Sequence, residues 1–93
     1  MPAARYDLRI SPQARRQLAE EIPAAVAFAA HEFIRGPLLD NPHRVGKRLR
    51  APLEGRFSAR MGTYRITYLI DEDQGIVEVI AVVTRADAYR TSP

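Results

Sequence analysis

The sequence contains no cysteine, no tryptophan and only two histidines among its 93 residues. Without cysteine the chain has no disulfide framework, no thiolate nucleophile and no cysteine zinc site, and this composition suits a reducing cytoplasm. The two histidines, His31 and His43, have no convergent carboxylates that would complete a metal site. We therefore expect neither a metal nor a cofactor.

Long hydrophobic segments are absent as well. The longest apolar run, residues 24–30, is far shorter than the roughly 20 residues that cross a bilayer. The N-terminus lacks the charged and apolar regions of a secretory signal. Residues 1–93 are therefore predicted to form a single domain in the cytoplasm that does not associate with a membrane.

Positive charge is concentrated in one part of the chain. Residues 44–65 carry seven basic side chains and one acidic one, whereas residues 1–43 carry five of each and residues 66–93 carry two and five. Such a local excess is typical of a polyanion site, although many runs of charge are no more than a solvated surface. The basic side chains of this stretch are Arg44, Lys47, Arg48, Arg50, Arg56, Arg60 and Arg65.

The same stretch has the pattern of a β-hairpin. If Gly62 and Thr63 form a two-residue turn, with glycine at the position that requires a positive φ, Arg60 pairs with Arg65 across the two strands. Two guanidinium groups in opposite positions repel each other, which suggests that this face of the hairpin binds an anion. The other face is predicted to be core, because side chains alternate between faces along a strand. It comprises Phe57, Ala59, Met61, Tyr64, Ile66 and Tyr68.

The N-terminal segment predicts a strand followed by a helix. Tyr6, Leu8 and Ile10 alternate with charged residues, which indicates a half-buried strand. Ser11 and Pro12 then have the chemistry of an N-cap and of the first helical position. The first helix is expected to run to about residue 21.

A second helix is predicted after Pro23, with Gly36 and Pro37 as its end. Residues 36–52 are predicted to be an irregular loop that brings its cations beside the arginine face of the hairpin. The apolar stripe of the second helix is predicted to be Ile22, Val26, Ala29 and Phe33.

The order of elements predicts the fold class. Residues 76–84 are rich in valine and isoleucine on both faces, as in a central strand. The order is therefore β-α-α-β-β-β, an α+β fold in which a helical hairpin packs on a mostly antiparallel four-stranded sheet. We expect the first strand to join the free edge of the last one.

A set of spaced residues runs from the hairpin to the end of the chain. It comprises Leu53-Glu54-Gly55, Ser58-Ala59-Arg60, Gly62, Tyr64-Arg65, Tyr68 and Ile70-Asp71, and, after the valine-rich strand, Arg85, Asp87, Tyr89 and Arg90. This set resembles the RelE branch of the RelE/ParE toxin superfamily of bacterial toxin–antitoxin systems. The predicted order of elements matches the same family, so the resemblance covers nearly the whole chain.

The resemblance implies a toxin that enters the ribosomal A site and cuts mRNA there as a metal-independent endoribonuclease. It also implies a cognate antitoxin that wraps the toxin in a hetero-oligomer and holds it inactive. Carried over by position, Arg56, Arg65 and Arg85 are expected to be the main catalytic set, with Tyr89 as a C-terminal aromatic and Arg60 as a supporting cation. Binding of RNA and ribosome is expected of Arg44, Lys47, Arg48, Arg50 and Arg60.

Cleavage of RNA without a metal requires the neighbouring 2′-hydroxyl to attack the phosphate, and fixed arginines stabilise the charge that builds on the phosphate oxygens. Arginine stays protonated, so it is a poor general base. Tyr89 is either that base, with its pKa lowered by surrounding cations, or a platform on which a nucleobase stacks. One position departs from the family pattern, since Ser58 stands where well-known members have a lysine.

Two other classes of function remain open. The first is a ParE-like DNA gyrase inhibitor, which needs no catalytic arginines and would induce a DNA-damage response while mRNA stays intact. The second is a non-catalytic module whose basic face docks an acidic antitoxin or ribosomal RNA, and which would bind tightly without impairing growth.

Overall fold

The computed structural model describes residues 5–50 and 55–84. The five strands form one sheet in the order β1-β5-β4-β3-β2. β1 is parallel to β5 and the other neighbours are antiparallel, which confirms the predicted α+β class and the place of the first strand beside the last. The elements are β1 Asp7–Ile10, α1 Pro12–Arg16 with a π-helical turn Gln17–Glu21, α2 Ala24–Phe33 with a π-helical turn Ile34–Leu38, α3 Pro42–Val45, β2 Lys47–Arg48, β3 Arg56–Met61, β4 Tyr64–Asp71 and β5 Ile76–Thr84.

The β3–β4 hairpin has the predicted register. Arg60 lies opposite Arg65, and Phe57 lies opposite Tyr68. Gly62 has a φ of +62°, and no residue other than glycine has a positive φ in the described ranges. A single positive φ at the first central residue is the requirement of a type II′ turn, whose twist matches that of the flanking strands.

Helix α1 is joined to β5 at a β-bulge. The register of β4 and β5 shifts between Thr67 and Tyr68, so that β5 has one extra residue at this point. Such a bulge leaves backbone groups outside the ladder that need other partners. The hydroxyl of Ser11, which caps α1, donates to the carbonyl of Ile80 at 2.7 Å. The buried Gln17 side chain accepts from the amide of Val82 at 2.8 Å.

The core lies between the helices and one face of the sheet. Small and branched side chains of the helices pack against Phe57, Ile66 and Tyr68 of the hairpin and against valines of β5. The buried face of α2 and its π-helical turn consists of Ala27, Ala30, Ile34 and Leu38. The predicted stripe is therefore partly correct: Ile22 and Phe33 are half-buried and pack against the core, whereas Ala29 is exposed and the fully buried positions lie one residue later, at Ala30 and Ile34.

The predicted end of the second helix at Gly36 and Pro37 is also wrong. The helix continues through both residues as the π-helical turn Ile34–Leu38. Ile34 and Leu38 are fully buried, and burial of two such side chains offsets the cost of a proline within the turn. Tertiary packing has overridden the local stop signal.

The segment predicted to be an irregular loop, 36–52, contains regular structure at residues 36–38, 42–45 and 47–48, and the sheet formed by the described residues has five strands rather than four. The extra strand, β2, pairs Lys47 with Ser58 and Arg48 with Phe57. The Leu49 amide extends this pairing by donating to the Arg56 carbonyl at 2.8 Å. A segment of two residues is too short to show the alternation by which a strand is recognised in a sequence. It is a strand here because it pairs with β3.

Candidate functional site

A groove beside the hairpin collects six of the seven basic side chains of the stretch 44–65. It has a volume of about 570 Å³ and is lined by residues 44–50 together with Ser58 and the two arginines nearest the hairpin turn. The charge excess of the sequence is thus gathered on one concave surface. We call this surface the basic groove and define it by its cations, Arg44, Lys47, Arg48, Arg50, Arg60 and Arg65.

The hairpin supplies two of these cations from opposed positions. Arg60 on β3 and Arg65 on β4 are cross-strand partners, so both side chains leave the same face of the sheet. Arg60 is exposed and Arg65 is half-buried. Because like charges at such a position are unfavourable, the pair is suited to hold an anion between or above its guanidinium groups.

Strand β2 forms the other side of the groove. The chain reaches this place because Gly46, directly before β2, lies close to Tyr68 and Ser58. A Cβ atom at this position would overlap the hydroxyl of Tyr68 and lie 2.9 Å from the carbonyl oxygen of Ser58. Only glycine therefore lets the chain pass this close to β3 and β4. Lys47 follows directly and pairs with Ser58, which places its side chain on the arginine face of the sheet.

Tyr68 holds the segment before Gly46 from the core side. Its buried hydroxyl donates to the carbonyl of Pro42, the first residue of α3, at 2.5 Å. Burial raises the pKa of Tyr68 to about 12, so the hydroxyl stays protonated at physiological pH. Sequence reasoning assigned Tyr68 to the core correctly but missed this bond, for which the sequence carries no signal.

Five of the six cations of the basic groove form no ion pair with the chain's own described carboxylates. The ion pairs within residues 5–50 and 55–84 join Arg5 with Asp40, Arg16 with Glu21 and His43 with Glu72. Arg44, Lys47, Arg48, Arg50 and Arg60 take part in none of them. Arg48 instead lies over the Phe57 ring, with its guanidinium carbon 5.6 Å from the ring centre. A field of this kind attracts and orients a polyanion.

The other end of the sheet is acidic and contains a polar network that sequence reasoning missed. Glu72, after β4, pairs with the His43 imidazole and accepts a hydrogen bond from the Tyr6 hydroxyl at 2.9 Å. The bond with His43, followed by the bond from Tyr6, lowers the pKa of the Glu72 carboxyl. The same carboxylate raises the pKa of Tyr6. The His43 Nε2 atom thus faces a carboxylate.

The candidate catalytic residues are distributed as follows. Arg65 lines the basic groove beside its supporting cation Arg60. Arg56 lies on the same strand as Arg60 but opposite Leu69, and it does not line the groove. Arg85 and Tyr89 lie outside the described residues. The described part of the predicted site therefore brings Arg60 and Arg65 together and leaves Arg56 farther along β3.

Residues 5–50 and 55–84 contain neither a candidate metal site nor a candidate membrane-spanning helix. No group of three or more histidine, cysteine or acidic side chains is arranged to hold a metal ion there. None of the described helices has the length and apolar character needed to cross a membrane.

Comparison with known families matches residues 8–89 to the model of the ParE toxin of type II toxin–antitoxin systems. This match covers most of the chain and includes every described element, with β1 lacking only Asp7. The chain belongs to the ParE toxin family. It is a type II toxin of the RelE/ParE superfamily, as the resemblance of its hairpin residues indicated.

Two curated relatives of this toxin come from Mycobacterium tuberculosis. Toxin RelE is 47% identical over 88 residues, which cover 95% of this chain and 90% of the relative. Toxin RelG is 46% identical over 85 residues, which cover 91% and 97% respectively. The similarity therefore extends over nearly the full length of both relatives.

Solved structures of related toxins share the fold. The RelBE2 toxin–antitoxin complex from Mycobacterium tuberculosis contains a chain that is 43% identical to this toxin, with a TM-score of 0.84 over 88% of this chain and 100% of that one. A free RelE mutant from E. coli is 20% identical, with a TM-score of 0.73 over 92% and 88%. The latter likeness establishes the fold alone.

Proposed function

We propose that this toxin is a ribosome-dependent endoribonuclease that cuts mRNA in the A site without a metal ion. The observation that carries the proposal is the basic groove, in which cations from β2 and from the hairpin face one cavity. Five of these cations form no ion pair with the described carboxylates. The two RelE-named relatives support the same class of activity.

In the proposed reaction the 2′-hydroxyl of a nucleotide attacks the adjacent phosphorus. The bond from O2′ to phosphorus forms as the bond from phosphorus to the O5′ atom of the next nucleotide breaks, giving a 2′,3′-cyclic phosphate and a 5′-hydroxyl. The 2′-hydroxyl gives up a proton to a base, and the leaving oxygen takes one up. Charge that develops on the non-bridging oxygens is stabilised by fixed guanidinium donors.

The roles proposed for Arg60 and Arg65 are supported by their place in the basic groove, and those of Arg56, Arg85 and Tyr89 by the family resemblance alone. Arg65 and Arg60 contact the scissile phosphate, and Arg56 and Arg85 complete the catalytic set. Tyr89 is proposed as the C-terminal aromatic that either accepts the proton or stacks on a base. Phosphates on either side are bound by Arg44, Lys47, Arg48 and Arg50, as in other electrostatic grooves that follow single-stranded RNA.

We propose in addition that a cognate antitoxin forms a hetero-oligomer with this toxin and holds it inactive in the cytoplasm. The support is the RelBE2 structure from Mycobacterium tuberculosis, which is a complex of toxin and antitoxin. A basic groove of this charge is suited to an acidic segment of such a partner, because complementary charge speeds and orients association.

The proposal is tested with purified toxin and ribosomes programmed with a defined mRNA, followed by mapping of the mRNA ends. Cuts confined to the A-site codon are expected. Arg65→Gln should lower the cleavage rate by about 100-fold to 1,000-fold, the usual effect of removing one preorganised donor to a transition state. Arg15→Gln, on an exposed position of α1, is the matched control and should cut like the wild type. Intact mRNA with the wild type, or normal cleavage by a folded Arg65→Gln variant, would contradict the proposal.

The family model, which is that of ParE toxins, favours DNA gyrase inhibition as the second candidate function. Inducible expression with transcript-end mapping separates the two. Cut transcripts without a DNA-damage response support the nuclease, whereas a DNA-damage response with intact transcripts supports gyrase inhibition. Unimpaired growth together with tight antitoxin or ribosomal RNA binding would support a non-catalytic module instead.

A further inference from the structure

A second cavity adjoins the basic groove at strand β2. Both are lined by the consecutive residues Arg48, Leu49 and Arg50. The second cavity has a volume of about 620 Å³ and also contacts His43 and Glu72. This volume is within the range of small-molecule sites in proteins. We call it the edge pocket.

The edge pocket presents two flat groups to solvent. The His43 side chain is 49% exposed, and its ring meets the Phe57 ring edge-on at a centroid distance of 5.7 Å. Phe57 itself is buried, between the stacked ring of Tyr68 and the guanidinium of Arg48. The accessible planar surfaces are therefore the His43 imidazole and the exposed Arg48 side chain. Unstacked RNA bases are commonly bound on aromatic rings and on arginine planes.

The His43 ring is held in place before any ligand arrives. Glu72 pairs with its Nε2 atom and is itself fixed by the Tyr6 hydroxyl at 2.9 Å. The Tyr6 ring also meets the imidazole edge-on, with centroids 6.5 Å apart. A surface that is already oriented loses less conformational entropy on binding, which favours affinity.

The cations at the entrance of the edge pocket suit the backbone of the same ligand. Arg48 and Arg50 are exposed and form no ion pair with a carboxylate in the described ranges. Arg48 and Arg50 therefore supply positive charge for a phosphate next to a stacked base, the Glu72 carboxylate in the lining is paired with His43, and Leu49, Phe57 and Ile70 supply an apolar lining. Cations beside a stacking surface are the combination found in sites for single-stranded RNA.

We propose that the edge pocket binds one nucleotide of the RNA strand whose neighbouring phosphates occupy the basic groove, with its base stacked on the His43 ring. This inference depends on the proposed function, because the groove must first bind RNA. Stacking of this kind accepts any base, so the pocket should add affinity and fix the register of the strand without strong sequence preference.

The test is an NMR titration of the toxin with a 2′-O-methyl trinucleotide, which cannot be cleaved, and with the same core extended at its 5′ or its 3′ end. Extension in one direction should tighten binding by about tenfold, as expected for one base stacked on a ring. His43→Ala should abolish that gain, and His43→Phe should retain it because the ring is kept. His31→Ala, at a histidine of α2 that lines neither cavity, should behave as the wild type.

The outcomes separate the two proposals. If the trinucleotide binds through Arg65, as judged with Arg65→Gln, but neither extension adds affinity, the edge pocket is not a nucleotide site and the proposed function stands. An unchanged gain in His43→Ala would also overturn the inference. So would a His43→Ala variant that loses affinity only for the antitoxin, since the pocket would then belong to that partner. If Arg65→Gln leaves the affinity for every RNA unchanged, the proposed function itself is contradicted.

Discussion

The two ends of strand β4 carry opposite charge and use it differently. Arg65, near the hairpin turn, lines the basic groove, whereas Asp71, six residues later, lines an acidic cavity of about 410 Å³ at the β4–β5 turn. Six residues of strand span about 20 Å, more than twice the Debye length of about 8 Å at physiological ionic strength. Arg65 and Asp71 are therefore screened from each other, whereas Glu72 lies nearer the cations, because it lines the edge pocket together with Arg48 and Arg50. The modest net charge of +3 conceals both regions.

One carboxylate of the acidic end, Glu72, is paired within the protein, whereas most cations of the basic groove form no ion pair in the described ranges. At the acidic end, Glu72 bonds to both Tyr6 and His43. Its carboxylate therefore connects the β4–β5 turn to the residue before β1 and to α3. In the basic groove, five cations have no carboxylate partner among the described residues. The Glu72 charge therefore stabilises contacts within the fold, whereas the charges of these five cations remain available to a ligand. Helix α3 lies between the two ends, bonded to Tyr68 at Pro42 and to Glu72 at His43.

Gly46→Ala is expected to have the largest effect on stability and on RNA affinity. The added methyl group would meet the Ser58 backbone and the Tyr68 hydroxyl, and such overpacking costs about 1 to 3 kcal/mol of unfolding free energy. β2 should separate from β3, and the basic end alone should lose RNA affinity. Gly36→Ala is the matched control, because a Cβ there has no neighbour within 4 Å and alanine favours a helical turn. Urea unfolding and RNA titration measure both variants; equal stability of the two would refute the role of the close approach.

A smaller effect is expected from Tyr68→Phe, and it should depend on pH. Loss of the hydroxyl removes the bond to Pro42, which costs about 1 kcal/mol near neutral pH. Because the folded protein raises the pKa of Tyr68 from 10.0 to about 12, this group stabilises the fold fully below pH 10 and loses its contribution as pH rises through 12.

Unfolding midpoints in urea, measured at neutral pH and between pH 10 and pH 12, check this expectation. The wild type should lose more stability over the alkaline range than Tyr68→Phe does. Tyr6 also has a raised pKa, so the informative quantity is the difference between the two proteins. Parallel alkaline curves would mean that Tyr68 is not the group responsible.

Lys47→Gln, at the basic end, should weaken the salt dependence of RNA binding, whereas a substitution at the acidic end should not. If Lys47 contacts one phosphate, its loss lowers the slope of log affinity against log salt concentration by about 0.7 for a single strand. Asp73→Asn, at the acidic cavity, should leave the slope unchanged. Titration with a 2′-O-methyl oligonucleotide over a range of salt concentrations measures both, and equal slopes in all three proteins would exclude a phosphate contact at Lys47.

The smallest effect is expected at the acidic end, from Glu72→Gln. The bonds from His43 and Tyr6 lower the pKa of Glu72 from 4.5, so its ionised form stabilises the fold above that pH and the contribution disappears as pH falls through the lowered pKa. The variant should therefore lose less stability on acidification than the wild type. Thermal unfolding over the acid range measures this, with Glu20→Gln, at an exposed helical position, as the control. Identical acid curves for Glu72→Gln and wild type would contradict the assigned role.

The parts of the fold that were predictable are those encoded locally. Alternation across the hairpin and the glycine at its turn predicted the pairing of Arg60 with Arg65, and therefore the cationic face. The start of α1 was equally local, since Ser11 caps the helix by accepting from the Ala14 amide at 3.0 Å. In each case the residues that determine the structure are neighbours in the sequence or across one tight turn.

The parts that were missed depend on distant residues. Strand β2 exists because Gly46 approaches Tyr68 and Ser58, and no local pattern of two residues shows such a contact. Helix α2 continues past Pro37 because buried side chains outweigh a local stop signal. For the candidate site, the sequence predicted that the loop cations lie beside the arginines of the hairpin, which holds for Arg60 and Arg65 in the groove but not for Arg56. The partner of His43 and the distance of Arg56 from the groove depend on the assembled sheet.

The central claim is that the basic end of the sheet, and not the acidic end, binds and cuts RNA. The most direct measurement compares mRNA cleavage in programmed ribosomes by two paired variants, Arg60→Gln with Arg65→Gln and Asp71→Asn with Asp73→Asn. We predict that the first pair lowers cleavage by about 100-fold or more while the protein stays folded, and that the second pair stays within about twofold of the wild type. Cleavage that survives loss of both arginines, or that falls equally with loss of the two aspartates, would contradict the claim.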